Sequence, residues 1–132
     1  MRYLMFGAVF ACWLVAVAQA EPPFKDLSFD AALKKAKSED KLVMVDFFTT
    51  WCGPCKKLDQ TTWKDTSVQA WLEERTIALK IDAEKERALA GKYRVRAFPT
   101  MLFIDPDGSV VGTITGYHDA KKFIEVANMR IE

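Results

Sequence analysis

The sequence predicts an α/β fold in which a mixed four-stranded central sheet is flanked by helices on both faces. Three observations lead there. From residue 28 onward the chain alternates between helical and strand periodicity in the order α-βααβ-αββα. The run Leu42 to Phe48, LVMVDFF, is apolar apart from Asp46 and of strand length, the pattern of a strand buried on both faces. A strand, helix, strand crossover is then followed by a hairpin, which combines parallel and antiparallel pairing in one sheet.

Each element has its own local cause. Glu21-Pro22-Pro23 blocks helix continuation, so 21–27 reads as a linker and 28–132 as one domain. Ala31, Ala32, Leu33, Ala36 and several lysines make an extra N-terminal helix that Ser28 or Asp30 can cap. After the buried strand, one helix is expected from Pro54 to about Gln60. A second runs from Ser67 to Arg75, capped by Asp65 or Thr66, with Val68, Trp71 and Leu72 on one face. Ile77 to Asp82 is the second strand, Glu84 to Tyr93 a helix, and Met101 to Ile104 the third strand. Asp105-Pro106-Asp107-Gly108 supplies the turn into a fourth strand, Val110 to Thr115. A last helix over Asp119 to Met129 turns Phe123, Ile124 and Ala127 inward.

Composition removes whole classes of function. The 132 residues are 50% hydrophobic and carry 19 basic against 18 acidic side chains, enough core for one domain and too even a balance for a nucleic-acid or polybasic membrane surface. One histidine rules out two-histidine metal motifs, and three cysteines are too few for a disulfide scaffold.

The apolar residues are concentrated at the start. Among the first 20 residues only Arg2, Gly7 and Gln19 fall outside the hydrophobic set. Arg2 as a positive start, an uncharged run from Tyr3 to Val17, and Ala18-Gln19-Ala20 have the three parts of a secretory signal cleaved after Ala20. The protein is thus expected to be secreted. The alternatives are an uncleaved anchor, for which the run falls short of the roughly 20 residues a bilayer needs, and lipid attachment at Cys12 after Val9-Phe10-Ala11, a poor lipobox. Cleavage leaves 112 residues, formally neutral, with two cysteines.

Both of those cysteines lie in Trp51-Cys52-Gly53-Pro54-Cys55, where the buried strand hands over to a helix. The unpaired N–H groups and positive dipole end of a helix start favour an anion, so Cys52 is expected to hold its thiolate and attack a substrate disulfide. Cys55, one turn further in and covered, then attacks the mixed disulfide and releases the product. Pro54 suits the first helical turn and stiffens the loop. Two other readings remain at this point. A zinc site would need four ligands where the mature chain adds only His118, and an inert staple over so short a loop contributes little stability.

The run Val45 to Lys56, VDFFTTWCGPCK, resembles the active-site strand and helix of thioredoxins. Lys92 to Thr100, KYRVRAFPT, followed by Asp107-Gly108 and Gly116, is similar to that family's second block. The resemblance covers about residues 28 to 130 and implies the thioredoxin fold. The early helix and the insert Thr61 to Ser67 look more like secreted bacterial relatives, similar to the C-terminal domain of the membrane electron transporter DsbD. The resemblance implies that Pro99 is cis, faces the sulfurs and offers backbone to the substrate, and that Phe98, Thr100 and Gly116 share the substrate surface. It also matches Asp46 to the family's buried acid. The surroundings agree: among Met44, Val45, Phe47 and Phe48 a carboxylate is desolvated, its pKa rises, and it can exchange a proton with Cys55. Trp51 is expected over the active-site loop, Lys56 and Lys57 as solvated helix lysines, and His118 at the surface. Three positions depart from the cytosolic pattern: Phe48 and Phe98 replace Trp and Ile, and Ala78 stands where a lysine often accompanies the acid.

The sequence therefore predicts a monomeric thiol:disulfide oxidoreductase that acts on protein disulfides or dithiols of exported proteins. The cysteine pair carries two electrons itself, so no metal or organic cofactor is expected. Gly53-Pro54 resembles the reducing members, which implies a reductase or isomerase recharged by a membrane electron donor. A thioredoxin-fold binding or chaperone module with a non-catalytic disulfide is the rival reading.

Overall fold

The computed structural model describes residues 22–132, so the expected export signal lies outside the described residues. The domain begins with α1 (Phe29–Glu39), and of its two candidate caps Ser28 serves, its hydroxyl accepting the Ala31 N–H at 3.1 Å. Strand β1 (Leu42–Phe48) and helix α2 (Gly53–Gln60) follow as the pattern requires. An unanticipated single turn of 3-10 helix, Thr62–Lys64, then leads into α3 (Thr66–Arg75), where Asp65 Oδ1 accepts the N–H groups of Ser67 and Val68.

Strand β2 (Thr76–Asp82) precedes α4 (Arg87–Lys92), which is shorter than the Glu84 to Tyr93 helix expected. A turn takes the place of its expected first residues: the Asp82 carbonyl accepts the N–H groups of Lys85 and Glu86, and the Asp82 side chain accepts that of Glu84. Strands β3 (Thr100–Ile104) and β4 (Val110–Thr115) form the hairpin, whose turn places Gly108 at φ 93°. Asp119 caps α5 (Ala120–Ile131), which buries Phe123 and Ala127 and leaves Ile124 half-buried.

The sheet order is β2-β1-β3-β4, with β1 parallel to β2 and both other pairs antiparallel. Side chains alternate across β1, so the strand feeds two cores. Val43, Val45 and Phe47 pack with Ala32 and Ala36 of α1, Ala90 of α4, and Ile77, Leu79, Leu102 and Ile104. On the other face Met44 joins Leu58, Trp63, Trp71, Phe103 and Phe123 beneath α2, α3 and α5. There β4 and α5 approach so closely that a Cβ on Gly112 would lie 2.9 Å from the Arg130 carbonyl oxygen.

The stretch read as a linker is held against the domain from Pro23 onward. Pro23 is buried, Phe24 meets the Trp63 ring edge-on at 5.5 Å, and the Lys25 N–H donates to Ala78 O at 2.8 Å on the outer edge of β2. Lys25 Nζ also pairs with Glu73 at 2.9 Å. Among the described residues no helix is long and apolar enough to cross a membrane.

Candidate active site

Cys52 is the N-cap of α2, and its Sγ accepts the Cys55 N–H at 3.2 Å. The two cysteines are bonded to one another, with Cα atoms 5.3 Å apart. Pro54 occupies the first turn of α2, where its missing N–H costs nothing. The expected difference in exposure between the two thiols is absent in this oxidised state, Cys52 being 4% and Cys55 2% exposed. The Cys52 sulfur is turned onto the helix start and engaged by both the disulfide and the Cys55 N–H, which takes it out of solvent.

Trp51 stands out beside them at 67% exposure. Its indole N–H donates to the Glu84 carboxylate, and its ring meets Phe98 edge-on at 6.1 Å. Those contacts draw the two sequence blocks to one end of the sheet, because Phe98 leads directly into Pro99. The Phe98-Pro99 bond is cis. Pro99 O accepts the Gly116 N–H at 2.9 Å, Gly116 has φ 87°, and Thr100 pairs with Phe47 on one side and Thr115 on the other. Pro99, Thr100 and Gly116 thus form one cluster at the end of β1 from which the cysteine loop emerges.

Asp46 is wholly buried, on the face of β1 that lies under α2. Burial pushes its carboxyl up to about 7, against the downward pull of the Lys80 charge and of a hydrogen bond from Trp63, while Asp59 pushes upward. The Trp63 indole N–H donates to Asp46 Oδ2 at 3.0 Å, and Asp46 Oδ1 has no partner among the described residues. The lysine sought at Ala78 stands two residues further on. The parallel register sets Asp46 opposite Lys80, whose ammonium is ion-paired with Asp59. Ala78 instead lies in the apolar core, opposite Met44.

Lys56 is exposed and Lys57 lies over the Tyr117 ring, 4.2 Å from its centroid. His118, expected at the surface, is half-buried, its Nδ1 3.2 Å from Gly116 O and its own carbonyl accepting from Thr62 Oγ1. Trp63, Lys80, Asp59 and Glu84 were not among the site residues expected. Only Lys80 left a signal, since it interrupts the apolar run from Ile77 to Ile81.

Taken together, a disulfide at a helix start, a buried acid beneath that helix and an apolar rim define a thiol–disulfide exchange centre. Residues 29–129 match the family model described as a thioredoxin-like domain. A candidate disulphide-isomerase from Bacteroides thetaiotaomicron, solved in solution, is 43% identical over 83% of this chain and 92% of its own, with a TM-score of 0.74. The oxidised C-terminal domain of DsbD from Neisseria meningitidis is 27% identical over 76% of this chain and 90% of its own, with a TM-score of 0.65. Thioredoxin-1 of Drosophila melanogaster is 39% identical over 67 residues, which span 51% of this chain and 60% of that protein. The chain belongs to the thioredoxin-like family of disulfide oxidoreductases.

Proposed function

We propose that this chain reduces or isomerises disulfides of exported proteins in the periplasm, as a monomer, and is recharged by a membrane electron donor. The observation that carries the chemistry is the Cys52–Cys55 disulfide capping α2 above the buried Asp46. For the setting, the support is the signal-like segment 1–20, with cleavage after Ala20, and the likeness to a DsbD C-terminal domain. Gly53-Pro54 supports the reducing direction.

In the reduced state Cys52 attacks one sulfur of the substrate disulfide. A bond forms between Cys52 and that sulfur, and the other substrate sulfur leaves with the electron pair and takes a proton. Asp46 then accepts the Cys55 proton, and the resulting thiolate attacks Cys52, closing the protein disulfide and releasing the second substrate thiol. The helix start stabilises the Cys52 thiolate before attack and as leaving group. Pro99 offers its neighbouring backbone to the substrate strand, and Trp51, Phe98, Thr100 and Gly116 supply the surface around it. The chemistry calls for no metal or organic cofactor, since the cysteine pair accepts and donates both electrons.

The test is covalent trapping. Cys55→Ala removes the resolving thiol, and mixed disulfides through Cys52 should accumulate in cells, with exported clients and a membrane donor among them. Recovery of no mixed disulfide, together with a Cys52→Ser protein that retains the cellular role, would show a binding module instead. A potential close to the roughly −120 mV of strongly oxidising DsbA would reverse the direction assigned here.

A further inference from the structure

Asp46 is held by a residue that the exchange chemistry above does not use. Trp63 is 2% exposed and lies in the insert between α2 and α3. Its ring is gripped edge-on by Phe123 at 5.0 Å and by Phe24 at 5.5 Å, and its carbonyl accepts from Gln69 Nε2 at 2.9 Å. A buried indole N–H needs an acceptor, and the one that Trp63 takes is an ionisable carboxylate. Trp71, in the same core, gives its own to the neutral amide of Asn128 at 2.9 Å.

We propose that Trp63 is a positioning residue for proton transfer: its indole N–H holds Asp46 Oδ2, leaving Oδ1 as the oxygen that receives the Cys55 proton. The proposal rests on the reading of Asp46 as the proton acceptor. A carboxylate free to turn about its terminal torsion presents its two oxygens interchangeably. The hydrogen bond at 3.0 Å removes that freedom, and Oδ1 is the oxygen without a partner. The transfer converts the Cys55 thiol and Asp46 carboxylate into the Cys55 thiolate and Asp46 carboxylic acid. The thiolate then forms the bond to Cys52, and the bond from Cys52 to the substrate breaks with its electron pair on the substrate sulfur.

The charged and titratable groups around Asp46 come from two elements. Lys80 reaches it from β2, and Asp59 lies on α2 with Cys55. The residue opposite it on β3 is the uncharged Met101. A donor at Oδ2 stabilises the ionised carboxylate, so Trp63 also lowers the pH at which Asp46 is able to take a proton.

Trp63→Phe retains an aromatic ring for Phe24 and Phe123 and deletes the N–H. Single-turnover reduction of a disulfide peptide by the pre-reduced protein, followed against pH, should show its rising limb displaced upward by about one unit, a roughly tenfold slower turnover at a fixed pH on that limb. The Asp46 carboxyl carbon, titrated by NMR in the reduced protein, should move in the same direction. If Trp63→Phe does not fold, replacing the indole with its benzothiophene analogue removes the N–H at constant shape. A profile and titration that coincide with wild type, while Asp46→Asn abolishes the limb, would overturn the role of Trp63 and leave Asp46 as acceptor. Retention of the limb in Asp46→Asn would overturn the acceptor reading itself, and the proposal with it.

Discussion

The two faces of the sheet are built from the same strands and bury different things. Toward α1 and α4, β1 presents Val43, Val45 and Phe47 to an apolar core. Toward α2 it presents Met44 and then Asp46, which brings Lys80, Asp59 and the Trp63 N–H around a carboxylate inside the protein. One face lowers the free energy of the fold by taking hydrocarbon out of water. The other gives some of that back to keep an ionisable group close to its titration point. A strand with a period of two side chains makes this division local: a single residue step separates a stability position from a chemistry position.

Substitutions on the two faces should therefore separate stability from exchange. The largest effect is expected from Phe47→Ala, which empties a fully buried position on the apolar face and should cost about 3–5 kcal/mol in urea unfolding. The exchange rate of the protein that remains folded should be unchanged, and a slowed rate would show that the faces are coupled.

Asp46→Asn should act the other way. An acid raised to about 7 in the fold binds its proton more tightly there than in the unfolded chain, so stability falls as pH rises from the ordinary carboxylate range toward 7 and is level above it. Removing the charge should stabilise the protein by up to about 4 kcal/mol at alkaline pH and by little at acid pH, while slowing resolution. A variant no more stable than wild type at alkaline pH would contradict the raised pKa.

The smallest effect is expected from Lys80→Met. Losing the partly exposed ion pair with Asp59 should cost about 1 kcal/mol or less. Losing the positive charge beside Asp46 should raise that acid further, so its NMR titration moves to higher pH. A titration that stays in place would remove Lys80 from the chemistry.

The difference between the faces was half legible in the sequence. Cys52 and Cys55 sit together in five residues, and Asp46 interrupts an apolar run, so both are local signals. The neighbours that tune Asp46 come from a register and an insert. Ala78 and Lys80 are both plausible partners until the parallel pairing of β1 with β2 places Asp46 opposite Lys80, and nothing local sets that pairing. Trp63 reaches Asp46 because the 3-10 turn at Thr62–Lys64 bends the chain back under α2, a turn with no capping side chain to announce it. The shortened α4 has the same origin. Asp82 gathers the N–H groups of Glu84, Lys85 and Glu86 into a turn, an arrangement that periodicity does not register.

The single hydrogen bond from Lys25 N–H to Ala78 O has a bearing on life among other proteins. A strand at the margin of a sheet offers its free amides and carbonyls to any extended chain that comes by, and thereby seeds aggregation. Here β2 is such a margin, and the segment around Lys25 is laid across it and pinned by Glu73. A truncation that begins the chain at α1 would keep the cysteine pair and Asp46 but strip that guard away, together with the Phe24 ring that packs on Trp63. The shortened protein would lose solubility by edge-to-edge association of its bared β2.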